Sequence, residues 1–306
     1  MRIGFIGLGK MGFNMRERLR EAGHEVVGYD HNPDVADVAS VEAMVADLAA
    51  PRVVWSMLPA GQITHDTIVD LSGRLQAGDV IVEGGNSRWT DDIANAAMLA
   101  EKGIGYVDCG VSGGVWGLQN GYALMVGGTP EDVARTQPLF DSLKPPGEFG
   151  FVHAGKVGAG HYAKMVHNGI EYGMMQAYAE GYELLEATGV VTDVPAVFKS
   201  WRKGTVIQSW LLDLMDRALD ADPTLHRLRG WAEDSGEGRW TLEAGIEHAV
   251  PLPVLAAALF ARFSSRQTDS PTMKAVAALR NQFGGHAVQA EDPEAAKLTA
   301  VETEDR

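Results

Sequence analysis

The stretch Gly7-Leu8-Gly9-Lys10-Met11-Gly12 follows an apolar run at residues 2–7 and opens a helical stretch that Gly23 stops. Glycines at this spacing, set between a strand and a helix, leave few folds open. The first allows a tight turn, the second lets backbone N–H groups approach a pyrophosphate, and the third lets helix and strand pack closely. The helix N-terminus then favours a bound anion. A second predicted strand, residues 25–30, ends in Asp30, and Asn32-Pro33 breaks the chain after it. A carboxylate there accepts hydrogen bonds from a ribose 2′-hydroxyl and repels a 2′-phosphate. His31 and Asn32 supply no arginine to neutralise such a phosphate, so the pattern predicts NAD rather than NADP. The alternative is a purely structural glycine loop, with Asp30 starting a turn.

Further strands are predicted at 52–57, 79–83, 104–109 and 122–127, with helical stretches between most of them. That alternation predicts an α/β, Rossmann-type doubly wound domain. Met57-Leu58-Pro59 ends one strand on the carboxyl edge of the sheet, where open α/β sheets bind ligands. Around Lys144-Pro145-Pro146-Gly147 and Gly155-Lys156-Val157-Gly158 the chain reads as loop. A long helix is predicted from His161 to Thr188, ended by Gly189. Helical segments continue to about residue 282, broken at Pro195, Pro223, Gly236 and Pro251 to Pro253. Residues 1–158 are therefore read as the dinucleotide-binding domain and 159–290 as an all-helical substrate and oligomerisation domain. Residues 291–306 read as an acidic mobile tail.

The net charge of −15 argues against a nucleic-acid or anionic-membrane partner. It also means that an anionic ligand would need clustered cations or helix N-termini. The single cysteine, Cys109, allows no internal disulfide and fits a cytoplasmic setting, with a buried structural thiol as its expected role. Met1-Arg2 runs straight into a strand, unlike a signal peptide. The longest uncharged apolar run, 250–261, contains two prolines and is too short to span a bilayer.

Lys164-Met165-Val166-His167-Asn168-Gly169-Ile170-Glu171-Tyr172-Gly173 carries the chemistry. At about 100° per residue, Lys164, His167, Asn168 and Glu171 share one helix face, with Tyr172 at its edge. Val166, Gly169, Ile170 and Gly173 fall behind them. A base and an acid on one rigid face suit a reaction that removes a proton and later returns one. A solvated face with Lys–Glu pairing is the competing reading. Two more segments belong to the same sheet edge. Glu83-Gly84-Gly85-Asn86-Ser87 places an amide there, and Val111-Ser112-Gly113-Gly114 a hydroxyl with exposed backbone N–H groups. Each alone is commonly just a turn.

Together, in type and order, these segments resemble the decarboxylating 6-phosphogluconate dehydrogenases of the wider β-hydroxyacid dehydrogenase group. The resemblance covers nearly the whole chain and is closest to their short bacterial form. It implies that Lys164 is the base for the substrate's 3-hydroxyl. An amine serves as a base only when neutral, a state that burial or a nearby cation favours. The resemblance further implies a 3-keto acid that loses CO2 without a metal, and Glu171 as the acid that protonates C1. Residues seven apart on a helix lie about 10.5 Å apart along its axis, so leaning side chains can bracket a small sugar acid. The resemblance places His167 and Asn168 in catalysis and, with Asn86, implies that they hold hydroxyl groups. It implies that Ser112, Gly113 and Gly114 hold the C1 region, and that Tyr172, Arg239 with Thr241 in Arg239-Trp240-Thr241, Arg262, Arg280 and His286 bind the phosphate. Arg239 stands where the resemblance implies lysine, and guanidinium suits phosphate at least as well.

The cofactor would lie against Gly7, Leu8, Gly9, Lys10, Met11, Gly12, Asp30, Met57, Leu58, Pro59 and Asn86. The long members of the family use NADP and carry Asn-Arg at the end of the second strand, from which Asp30 departs. The tail pair Arg280 and His286 would serve a neighbouring subunit, which implies a homo-oligomer, dimer or tetramer. The function implied is NAD-linked oxidative decarboxylation of 6-phospho-D-gluconate to D-ribulose 5-phosphate, in the pentose phosphate pathway. Another β-hydroxyacid dehydrogenase, such as a 3-hydroxyisobutyrate dehydrogenase or tartronate semialdehyde reductase, is the nearest alternative. A non-catalytic NAD sensor is the other, though a sensor has no use for both a base and an acid.

Overall fold

The computed structural model describes residues 1–284 and 286–289; the expected acidic tail, 291–306, lies outside the described residues. The elements in chain order are β1 (Arg2–Ile6), α1 (Lys10–Glu21), β2 (Glu25–Tyr29), α2 (Val41–Ala46), β3 (Val53–Ser56), α3 (Gln62–Ser72) and β4 (Val80–Glu83). There follow α4 (Trp89–Ala100), β5 (Gly105–Ser112), α5 (Gly117–Asn120), β6 (Ala123–Gly127), α6 (Pro130–Leu143) and β7 (Phe151–Gly155). The rest is helical: α7 (Ala159–Thr188), α8 (Val194–Trp201), α9 (Trp210–Ala221), α10 (Glu237–Glu247), α11 (Pro253–Ser265) and α12 (Pro271–Gly284).

The seven strands form one sheet in the order β2-β1-β3-β4-β5-β6-β7. β1 to β5 pair in parallel, with Ile6 in register with Tyr29 and Ser56, and Ser56 with Glu83. All of the predicted ligand segments on these strands therefore leave the sheet at one edge. β6 runs antiparallel to β5, and β7 parallel to β6. β7 falls where the sequence reads as loop. Its pattern of half-buried and exposed residues lacks the apolar run that betrays a central strand.

Period-two alternation explains the two faces. Val53, Trp55, Val80 and Val82 pack on one side with Met15, Leu19, Phe140 and Leu143 from α1 and α6. Val54 and Ile81 point to the other, against Met44, Ile68, Leu71 and Leu99 from α2, α3 and α4. A sheet covered on both faces reads as unbroken apolar runs, which is why these strands are legible. Cys109 is fully buried in the first cluster, and burial raises its thiol pKa well above the ordinary value.

Two compact units emerge. The first comprises Met1–Tyr172 and Gly236–Pro251; the second comprises Gly173–Ser235 and the described chain from Leu252. The expected boundary near 158 marks the start of α7, whereas the units part within that helix. The first turns of α7 sit directly on the sheet, which explains this. A Cβ at Gly160 would lie 2.4 Å from the Met125 carbonyl oxygen, and one at Gly110 would lie 2.3 Å from the Lys164 Cβ. The second unit has its own small core, with Phe198, Leu212 and Leu219 fully buried. Among the described residues no helix is long and apolar enough to cross a membrane.

Candidate active site

The nucleotide edge is built mostly from backbone. Gly7 has φ +90°, and a Cβ there would lie 2.5 Å from the Met57 carbonyl oxygen. A Cβ at Gly12 would lie 2.0 Å from the Gly7 carbonyl oxygen, so α1 approaches the loop only because Gly12 has no side chain. Gly9 differs. Its φ of −63° suits any residue, and a Cβ there would meet nothing within 4 Å. Neither strain nor packing explains this glycine, and the open space at the exposed α1 N-terminus fits a dinucleotide's pyrophosphate. Lys10 is exposed beside it, and Met11 packs against the sheet core.

Asp30 accepts hydrogen bonds from the backbone N–H of Leu8 (2.6 Å) and of Asn32 (2.8 Å). A carboxylate has about four lone-pair sites, so a ribose hydroxyl can still bind it. The adjoining cavity of about 240 Å³ is lined by Gly7, Asp30, Leu58, Asp66 and Asp70, with no lysine or arginine. An acid-lined pocket of this kind fits NAD and disfavours a 2′-phosphate. Pro59 is exposed at the mouth of the loop after β3. A larger cavity, about 620 Å³, lies among Thr129, Pro130, His153 and Lys156 and includes none of the predicted site residues. Chemistry, not size, identifies the site.

The second half of the site is built from side chains that meet across long sequence distances. Lys164 Nζ donates to Asn86 Oδ1 at 2.5 Å and to Glu237 Oε1 at 2.9 Å. Asn168 Nδ2 donates to the same Glu237 oxygen at 2.6 Å. Lys164 and Glu237 keep 12% and 3% of their side-chain surface, so the pair is largely withdrawn from water. His167 and Glu171 are more open. Their closest approach, Nδ1 to Oε2, is 3.9 Å, and His167 Nδ1 lies 3.1 Å from Asn168 Oδ1. Lys164 is thus tied across the fold to α10, against the solvated-face alternative of Lys–Glu pairing along the helix. The back of that helix is less uniform than its pattern implies, because Ile170 is 53% exposed.

Ser112 is the last residue of β5, and Gly113 (φ +144°) and Gly114 (φ +53°) turn the chain away. Tyr172 is buried, and Arg239 is exposed on α10. Thr241 is buried, and its hydroxyl is directed at two helix carbonyls, Glu237 (2.7 Å) and Met165 (3.0 Å). In this arrangement it joins α10 to α7. Arg262, Arg280 and His286 belong to the second unit. There Arg262 donates to the Glu233 carbonyl oxygen at 2.7 Å, while Arg280 and His286 are exposed.

Sequence reasoning missed a buried polar group beneath Asn86. His161 Nδ1 lies 2.7 Å from Asp92 Oδ2, and its Nε2 lies 3.1 Å from the Gly85 carbonyl oxygen. Asp108 accepts backbone N–H bonds from Gly158 (2.7 Å) and His161 (2.9 Å), anchoring the start of α7. Glu83 Oε1 accepts from the Gly85 N–H at 2.8 Å. Burial pushes the Glu83 carboxyl up to about 7, against the pull of the His161 charge. Burial opposes charge on His161, but Asp92, Glu83 and Asp108 outweigh it and raise the imidazole to about 10. Glu237 was missed as well. Its one sequence signal is an acid flanked by two glycines just before Arg239-Trp240-Thr241.

Residues 2–145 match the model of the NAD binding domain of 6-phosphogluconate dehydrogenase, and 160–301 match that enzyme's C-terminal domain. The Bacillus subtilis protein YqeC, which carries a provisional 6-phosphogluconate dehydrogenase name, is 41% identical over 94% of this chain and 99% of its own. The NAD(+)-dependent, decarboxylating 6-phosphogluconate dehydrogenase of Haloferax volcanii is 39% identical over 95% of this chain and 100% of its own. Plasmodium falciparum 6-phosphogluconate dehydrogenase, solved with NADP+ and with 6-phosphogluconate, superposes with a TM-score of 0.80 at 26% identity. That match covers 96% of this chain and 67% of the other.

Proposed function

The chain belongs to the 6-phosphogluconate dehydrogenase family, and from that premise we propose that it oxidatively decarboxylates 6-phospho-D-gluconate to D-ribulose 5-phosphate and CO2 with NAD. One observation carries the reading furthest. The Lys164 amine is held between Asn86 and Glu237, which joins the Gly-Gly-Asn loop to the His-Asn…Glu helix at one buried point. NAD, when bound, accepts the hydride from C3.

The chain's own residues handle the protons. Lys164 takes the 3-hydroxyl proton, and Asn86 and Glu237 hold its amine in place. CO2 then leaves the 3-keto acid as electrons flow into the ketone. Glu171, half-exposed two turns further along α7, returns a proton to the carbon that CO2 has left, C2 of the substrate and C1 of the product. Asn86, His167 and Asn168 hold hydroxyl groups, and Ser112, Gly113 and Gly114 hold the C1 region. The phosphate roles of Tyr172, Arg239, Thr241, Arg262, Arg280 and His286 rest on motif resemblance alone. So does a homo-oligomeric state, dimer or tetramer, while a cytoplasmic setting rests on the single cysteine, Cys109. Functionally, 1–158 carries the cofactor, and 159–290 carries substrate and oligomer contacts.

Purified protein with 6-phosphogluconate and either NAD or NADP, followed at the NADH absorbance, tests this directly. Turnover faster with NAD is the expected result. A folded protein without turnover sinks the reading. Turnover of unphosphorylated 3-hydroxy acids at comparable rates would favour another β-hydroxyacid dehydrogenase instead.

A further inference from the structure

Glu83, Asp92 and His161 offer ligand atoms within 4.8 Å of one another, all buried, and at first sight could hold a metal ion. The geometry argues otherwise. Asp92 lies against Nδ1 of the ring, and Glu83 Oε2 lies 3.8 Å from Nε2. Asp92 Oδ2 sits 2.7 Å from Nδ1, a hydrogen-bond distance shorter than two ligands of one ion keep between them, so the cluster is a hydrogen-bonded array.

The ring faces two acceptors. Asp92 offers a carboxylate oxygen to Nδ1, and Gly85 offers a peptide carbonyl to Nε2. A neutral imidazole has only one N–H, so one nitrogen lone pair would face an oxygen lone pair. Inside a dry interior that costs a full unsatisfied acceptor. A ring protonated on both nitrogens satisfies both partners. The other groups that face it agree: Glu83 from β4, Asp92 from α4, and Asp108 and Tyr106 from β5. Tyr106 already donates its hydroxyl to Asp92 Oδ1 at 2.9 Å, so Asp92 acts as an acceptor at both oxygens.

His161 also closes a loop with the base. It precedes Lys164 by three residues on α7, and its Nε2 holds the Gly85 carbonyl. The next residue, Asn86, accepts from Lys164 Nζ. Gly85 is thus held at its N–H by Glu83, and its carbonyl, part of the Gly85–Asn86 peptide, by His161. We propose that His161 is a positioning residue, a buried imidazolium that clamps the Gly85–Asn86 peptide and so fixes the amide against which Lys164 is aimed. The proposal rests on the reading of Lys164 and Asn86 as substrate-handling residues.

The test uses the full chain labelled with 15N-histidine, with His161→Gln identifying the ring signals. One of the nine histidines should show both ring nitrogens protonated from pH 6 to pH 9, where exposed rings have lost a proton at about 6.5. A singly protonated His161 ring at pH 7.5 overturns the clamp as an imidazolium. The kinetic arm compares two amides. His161→Gln can keep a donor towards Gly85, while His161→Asn can keep one towards Asp92. His161→Asn should lower kcat roughly 100-fold, as expected for a displaced reacting group, with NAD affinity unchanged. His161→Gln should stay within about tenfold of wild type, since it retains the positioning bond. Equal losses in both overturn the positioning role. If neither variant folds, the wild-type spectrum still decides without assignment: a spectrum in which none of the nine histidines is doubly protonated at pH 7.5 overturns the clamp. Wild-type turnover is measured first: its absence sinks the functional reading, whereas the ring spectrum reports on the clamp regardless.

Discussion

The nucleotide edge and the Lys164 pocket are built on different principles. The first is made of consecutive backbone: a glycine turn, a helix start and a carboxylate that accepts from Leu8 and Asn32. The second is made of side chains that meet over 73 to 78 residues of sequence, Lys164 with Glu237 and with Asn86. A backbone site tolerates almost any side chain except where one would intrude. A side-chain site depends on every partner being present and aimed. The two halves should therefore fail differently when altered.

Lys164→Met should show the largest effect. It removes the proposed base, and general-base groups contribute typically 10²- to 10⁴-fold. kcat should fall by roughly that factor while NAD affinity, measured by titration, stays at the wild-type value. Retained turnover would take Lys164 out of the base role and erase the contrast between the halves. Glu237→Gln should rank next. It keeps the shape but weakens a charge-assisted hydrogen bond worth about 1.5–3 kcal/mol, so kcat should drop roughly 10- to 100-fold. An unchanged rate would mean that the Lys164 contact is merely a resting position.

Asp30→Asn tests the other half. The kcat/KM ratio of NAD to NADP should fall roughly tenfold, from loss of about 1.4 kcal/mol of discrimination. A ratio that does not move would return Asp30 to a turn-forming role.

Two glycines sharpen the comparison further. Gly9→Ala should leave the melting temperature unchanged, because its Cβ meets nothing, yet raise the KM for NAD. Gly110→Ala should do the reverse to the fold. Its Cβ would overlap the Lys164 Cβ, and overpacking costs about 1–3 kcal/mol, read as a lowered melting temperature. The smallest effect concerns pH. The His161 pKa is raised in the fold to about 10 from an ordinary 6.5, so its stabilisation is complete below 6.5 and is lost as pH rises through 10. Glu83, raised to about 7 from 4.5, loses its share between those values, in the same direction. Denaturant midpoints should therefore decline from pH 5 towards pH 10, and His161→Gln should flatten the alkaline part.

How far each half was legible follows from the same contrast. Gly7, Gly9, Gly12 and Asp30 act through local conformation and a fixed offset along one β-α-β unit, which sequence spacing reports directly. The shared face of Lys164, His167, Asn168 and Glu171 follows from helical period alone. The strands in the sheet core announce themselves because both faces are covered, whereas β7, with its exposed residues, does not. Glu237 and His161 carry no such signature. An acid between glycines and a histidine near a helix start look the same whether they face solvent or another element. Their partners are chosen by chain crossings that no local pattern encodes.

The sequence by itself determined a doubly wound sheet with helices after it, a place for NAD, and one helix face bearing an amine and a carboxylate. Those follow from periodicity, glycine stereochemistry and the position of one carboxylate. Only the tertiary structure decided what the amine touches. Gly110 and Gly160 let α7 settle onto the sheet, which buried Lys164 against Asn86 and Glu237 and enclosed His161 among Glu83, Asp92 and Asp108. Contact and desolvation are properties of packed surfaces, and they arise only when distant segments are brought to the same few ångströms.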